Sequence, residues 1–183
     1  MEDDLAAIHR LKKGDIGGLE ALVVRYQVKA IRAAFLIVRD KQIAEDVVQD
    51  VYLRIFKHID KFEESHPFAP YLYKSVVNTA IDAAQKTSKQ QKMTVEIESI
   101  EEVIEHAMRV ETQSEFNEMK QNIFRALEKL SARQRAVVVM RYYLEMSEND
   151  IAESLNLAPG TIKWHLNAAR EHLRQLLGER NIS

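Results

Sequence analysis

The sequence of 183 residues contains no cysteine, which excludes disulfides, cysteine-ligated zinc and thiol catalysis from the start. Glycine and proline are scarce, with 5 and 3 copies, and no segment alternates β-branched or aromatic residues strictly with polar ones. A sheet is therefore not expected. No uninterrupted apolar run reaches the roughly 20 residues that span a bilayer, and the acidic start Met1-Glu2-Asp3-Asp4 does not resemble a secretory signal. The expected location is the cytoplasm, without membrane insertion. A strong excess of one charge is missing too: 26 Lys+Arg stand against 28 Asp+Glu. Overall charge would not hold such a chain on nucleic acid, so any binding of that kind must come from local patches.

Enzyme signatures are equally sparse. The histidines at 9, 58, 66, 106, 165 and 172 never form H-x-x-x-H or H-E-x-x-H, so no helical metal site is suggested. Gly14-Asp15-Ile16-Gly17-Gly18 lacks the lysine and Ser/Thr of a phosphate-binding loop and follows no strand, and there is no Gly-x-Ser-x-Gly elbow. No catalytic residue, metal or cofactor is expected, and the chain reads as a non-enzyme.

What is present is helical periodicity. Leu5, Ile8 and Leu11 start a short helix that Gly14-Asp15 ends, and Leu19, Leu22, Val23 and Tyr26 begin a longer one. Asp40 is placed to cap a third, whose stripe Ala44, Val47, Val48, Val51 and Ile55 is core. The segment Ser65 to Pro70 interrupts the pattern and launches a helix through Leu72, Val76, Ala80 and Ala83. From about Thr87 the composition turns acidic, with Glu96, Glu98, Glu101, Glu102, Glu105 and Glu111 and few basic residues between them. Periodicity resumes with Phe116, Ile123, Leu127 and Leu130. Ser131-Ala132-Arg133-Gln134 has the form of a capping box that opens a helix to about Leu144, and Ser147-Glu148-Asn149-Asp150 is a weaker version. Asn156-Leu157-Ala158 forms a turn, and Pro159 opens a last helix carried by Ile162, Leu166, Ala169, Leu173 and Leu176. The fold class expected is all-α: a helical domain over 1–90, an acidic linker over 91–115, and a helix-turn-helix, winged-helix-like domain over 116–183.

Three polar faces stand out. On the last helix Thr161, Lys163, Trp164, Asn167 and Arg170 fall away from the apolar stripe, a set of groups suited to base edges and phosphates in a major groove. Gly160, with no side chain, lets that helix start approach a phosphate. On the helix after Pro70, Tyr71, Lys74, Asn78 and Asp82 share one side, where aromatic and amide groups beside a cation suit an unstacked single strand. On the third helix the non-core side shows Glu45, Gln49, Tyr52 and Leu53, with Asp46 and Asp50 beside them, and two acids at i, i+4 suit a protein partner bearing cations. Each face alone is more simply read as a solvated helix surface, and for the last helix the turn before it and its place near the C-terminus reverse that preference.

Ala44-Glu45-Asp46-Val47-Val48-Gln49-Asp50-Val51-Tyr52-Leu53-Arg54-Ile55-Phe56 resembles the A-E-D-L-V-Q-E-x-F-L-R-x-W helix of the extracytoplasmic-function group of sigma factors in the sigma-70 family. Pro70 to Lys74 and Asn78 to Asp82 are similar to that group's W-L-Y-R-I-A-x-N-x-x-I-D segment. Leu130 to Arg135, and Ile151-Ala152-Glu153 through Gly160-Thr161-Ile162-Lys163, are similar to its L-P-x-R-Q-R and I-A-E-x-L-x-x-x-x-G-T-V-K. The resemblance implies a factor that directs RNA polymerase core to promoters, in a stress or envelope response. Asp46, Gln49, Asp50 and Leu53 would grip the clamp coiled coil of the largest subunit. Tyr71, Lys74, Asn78 and Asp82 would melt and hold the −10 element, and Thr161, Lys163, Trp164, Asn167 and Arg170 would read the −35 element. The β flap and an anti-sigma factor are further implied partners, the latter able to hold the chain at the inner membrane face, and the acidic linker would thread toward the RNA exit path.

Departures from the pattern carry expectations of their own. Tyr71 replaces the usual tryptophan, and Ala83-Ala84-Gln85-Lys86-Thr87 replaces an arginine run, which predicts fewer phosphate contacts near the −10 element. Trp164-His165 replaces the common Ser-Arg pair, so the −35 preference does not transfer from relatives. Lys163-Trp164-His165-Leu166 also resembles the K-x-H-L of LuxR-type output helices, which keeps a stand-alone helix-turn-helix regulator as the main alternative. A helical scaffold without nucleic acid is the remaining one, opposed by the basic cluster Lys120, Arg125, Lys129, Arg133, Arg135 and Arg141.

Overall fold

The structure, a computed structural model, describes residues 3–90 and 124–177. Among these residues all regular structure is helical, as the scarcity of strand signals predicts. The chain divides into two compact units, residues 1–87 and 88–183. The expected linker over 91–115, together with Phe116 and Ile123, lies outside the described residues.

The first unit is built from α1 (Asp4–Lys12), α2 (Gly17–Val38), α3 (Lys41–His58) and α4 (Phe68–Gln90), with a 3-10 turn at Ile59–Lys61. Helix α2 packs against both α1 and α3. Gly14 ends the turn after α1 at φ 82°, a conformation that a side chain would strain. Gly18 serves a different purpose, since a β-carbon there would collide with the Ala7 carbonyl oxygen and sit 2.8 Å from the Leu11 backbone nitrogen. The backbones of α1 and α2 therefore touch. A Gly18→Ala substitution is expected to destabilise the protein by about 1–3 kcal/mol through overpacking. Gly160→Ala, whose β-carbon meets nothing within 4 Å, should leave stability unchanged, and urea titration of the two variants checks both expectations.

Asp40 caps α3 as its position suggested: its Oδ1 accepts from the Ile43 amide at 2.8 Å. The stripe Ala44, Val47, Val48, Val51 and Ile55 is buried, and Tyr52 is buried with it. The reading of Tyr52 on the outward side is thereby corrected: four residues after Val48, it lies on the core face, and burial pushes its hydroxyl pKa strongly upward. Helix α4 is locked by rings. Phe68 lies 5.7 Å from Tyr26 and 5.9 Å from Phe62, and Tyr73 meets Tyr26 edge-on at 6.2 Å. Asp4 of α1 accepts from Arg25 and from the Tyr26 hydroxyl, which closes the other side of this cluster. Burial and the Asp4 carboxylate together raise the Tyr26 pKa to about 12.

The second unit runs from a helical stretch at 124–128 through α5 (Ala132–Val138), α6 (Glu148–Leu155) and α7 (Pro159–Leu177). Both serine starts are complete capping boxes, Ser131 with Gln134 and Ser147 with Asp150. The helix opened at Ser131 continues to Tyr143, but its last turn, Val139–Tyr143, is π-helical, a turn that residue types do not announce. It buries Val139 and Met140 beside Leu144. Asn156 takes the left-handed conformation at φ 51° and ends α6, and Pro159 begins α7 after a short turn. Ile151, Ala152, Ile162, Leu166 and Ala169 are buried, so α6 and α7 pack as the two halves of a helix-turn-helix.

Candidate functional site

The outward face of α3 is a mixed acidic and apolar strip. Asp46, Gln49 and Asp50 are exposed, and Leu53 is 54% exposed. At about 100° per residue, Leu53 lies opposite the centre of the buried stripe. Phe56, one turn on and 42% exposed, extends the apolar part of the strip. Sequence reasoning missed Phe56, although its offset from the stripe Val47, Val48, Val51 and Ile55 would have identified it. Arg54, another residue not singled out, donates to Thr79 Oγ1 at 2.5 Å and so joins α3 to α4 beside this strip.

Along α4 the structure brings Tyr71, Lys74, Asn78 and Asp82 onto one side, at i, i+3, i+7 and i+11. Tyr71 and Asp82 are exposed, while Lys74 and Asn78 are half-buried. Tyr71 is 37% exposed, and its ring leans on Phe62 at 5.1 Å and on Phe68 at 6.3 Å, so the aromatic cluster below fixes a ring that solvent still reaches. The loop before α4 is tied to α1. Lys12 Nζ donates to the Phe62 carbonyl at 2.9 Å and to Glu64 at 2.8 Å, and His9 Nε2 lies 2.6 Å from the same carboxylate. These partners, Lys12 first, hold the Glu64 carboxyl below its ordinary value. The tie therefore contributes fully above the ordinary glutamate range and is lost as pH falls through the lowered value. Glu64→Gln is expected to remove that part of the acid sensitivity of thermal melting.

In the second unit, Lys163, Trp164 and Asn167 are exposed on α7, and Thr161 and Arg170 are half-buried. Trp164 is 61% exposed. Arg170 is held inside the unit: its Nε donates to the Tyr142 hydroxyl at 2.9 Å and its Nη1 to Asn167 Oδ1 at 3.2 Å. His165 turns inward, where desolvation and then the Arg133 charge lower its pKa and favour neutral imidazole. Of the Trp164-His165 pair, only the indole points outward. Among the described residues there is no cluster of acids and histidines that could hold a metal, and no helix long and apolar enough to cross a membrane.

The family model for Sigma-70 region 2 matches residues 22–90, and that for Sigma-70, region 4 matches residues 120–173. The ECF RNA polymerase sigma factor SigW of Bacillus subtilis (strain 168) is 27% identical over 176 residues, covering 93% of this chain and 94% of the relative. The ECF RNA polymerase sigma-E factor of Escherichia coli (strain K12) is 26% identical over 174 residues, covering 92% and 91%. A structure of CnrH in complex with the cytosolic domain of CnrY shares the fold with TM-score 0.68 at 21% identity, covering 98% of this chain and 99% of the other. The sigma factor RpoE in complex with the anti-sigma factor NepR from Bartonella quintana does so with TM-score 0.65 at 24% identity, covering 88% and 96%. With regions 2 and 4 matched in chain order over about two thirds of the sequence, and with relatives aligned over more than nine tenths of both chains, the chain belongs to the extracytoplasmic-function group of the sigma-70 family of RNA polymerase sigma factors.

Proposed function

We propose that the chain directs RNA polymerase core to promoters with its labour divided among the three faces described. The strip Asp46, Gln49, Asp50 and Leu53 engages the clamp coiled coil: the acids meet its cations and Leu53 supplies the apolar anchor. The Tyr71, Lys74, Asn78 and Asp82 side of α4, with the loop held by Lys12, receives the opened −10 strand, where Tyr71 offers a stacking face. Helix α7 enters the −35 major groove through Thr161, Lys163, Trp164 and Asn167. Arg170 orients Asn167 and presents its remaining N–H groups to phosphate. The chain performs no chemistry of its own, since bond formation belongs to the polymerase. An anti-sigma protein is the expected regulator, in keeping with the complex of RpoE with the anti-sigma factor NepR that shares this fold, and an envelope or stress signal would release it. The β flap and the acidic linker's path along the RNA exit channel complete the assignment.

The observation that carries this reading is the pairing of a region 2 match with a region 4 match, each on helices whose polar side is left open. A stand-alone helix-turn-helix regulator accounts for residues 120–173 alone and leaves 22–90 without a purpose. Footprinting separates the two. Holoenzyme reconstituted from core and this chain should protect both promoter elements, while the chain alone protects neither. Sequence-specific protection by the chain alone, indifferent to added core, would support the regulator instead.

A further inference from the structure

Trp164 is the sole tryptophan of the chain. On α7 the residues Ile162, Leu166 and Ala169 are buried, and at about 100° per residue Trp164 falls opposite their centre. A helix lying in a groove presents that line deepest. Gly160, one turn earlier on the same line, adds no bulk, and a β-carbon there would meet nothing within 4 Å. Glu171, two turns later on the same line, pairs with Arg174 at 3.9 Å. The Trp164 and His165 rings meet steeply, with centroids 5.0 Å apart. An indole exposed to 61% is kept there at the cost of solvated apolar surface, which a partner would remove.

The chemistry of the indole selects among the four bases. Its N–H donates and cannot accept, and the rest of the ring is apolar. In the major groove adenine pairs an acceptor with a donor, cytosine offers a donor, and guanine offers two acceptors with no apolar group. Thymine alone places an acceptor, O4, next to an apolar group, the C5-methyl. We infer that Trp164 is a specificity-determining residue that reads the C5-methyl edge of a thymine in the upstream promoter element. This inference rests on the proposed role of α7 and adds to it which base is read and by which group.

The test uses full-length protein in holoenzyme. A promoter is first selected by the wild-type holoenzyme from fragments randomised upstream, and each upstream thymine is then replaced singly by deoxyuridine, which removes the methyl and nothing else. At one position the wild type should bind about fourfold more weakly, the effect of exposing one buried methyl group. Trp164→Ala holoenzyme should be indifferent to that change, and Trp164→Phe, which keeps the apolar face and loses the donor, should remain sensitive to it. Equal sensitivity in wild type and Trp164→Ala, or no methyl effect at any upstream thymine, overturns the inference while leaving the −35 role of α7 intact. Absence of upstream protection by the wild-type holoenzyme overturns that role, and this inference with it.

Discussion

Leu53→Asp is expected to weaken binding to core RNA polymerase at least about 30-fold, the effect of losing a central interface anchor. The side chain sits in the middle of the open face of α3, flanked by Asp46, Gln49 and Asp50 and extended by Phe56. Burying an added carboxylate against an apolar surface is costly, and a third acid beside two others increases repulsion within the strip. Because Leu53 is 54% exposed and outside the core, helix content and melting temperature should stay close to wild type. Binding measured by fluorescence anisotropy and folding measured by circular dichroism separate the two effects. Parallel losses in both would mean that Leu53 supports the fold. Unchanged affinity would remove α3 from the interface.

Phe68→Ala carries the largest expected cost to stability, about 3–5 kcal/mol for truncating a buried aromatic. Phe68 is 2% exposed and touches Tyr26, Phe62 and Tyr71, so its removal empties the platform on which Tyr71 rests and loosens the start of α4. Urea unfolding should report the loss. Promoter opening, followed by permanganate reactivity of thymines around the −10 element, should fall more steeply than binding of core, because the residues proposed to bind core lie on the exposed face of α3, away from its buried stripe. Phe68→Leu, which retains most of the buried volume, should recover much of both. If opening survives in Phe68→Ala molecules that remain folded, Tyr71 does not depend on this platform.

Much of this arrangement was legible in the residues because its signals are local. Asp40, Ser131, Ser147 and Pro159 mark helix starts through bonds or ring geometry spanning three residues at most, and the structure places a helix after each. The buried stripes of α3 and α7 follow from a single period. What escaped involves partners far apart in sequence or a residue with two characters. Tyr52 carries a hydroxyl that suits the non-core side, yet its position four after Val48 puts its ring in the core. Lys12 finds the Phe62 carbonyl 50 residues away, and Arg170 finds Tyr142 28 residues away, pairings that no local pattern encodes. The π-helical turn at Val139–Tyr143 likewise answers to packing within its unit and not to propensity. The three faces are visible in the sequence as polar stripes, and the resemblance in register across both units is what proposes them as more than ordinary solvated surface.

The central claim is tested most directly by run-off transcription with purified core polymerase on a library of genomic promoter fragments, with and without this protein. The account predicts transcripts with defined start sites that appear only when the protein is added and that share elements near −35 and −10. Core polymerase that is neither bound nor redirected, in the presence of protein that shifts duplex DNA by itself, would contradict it.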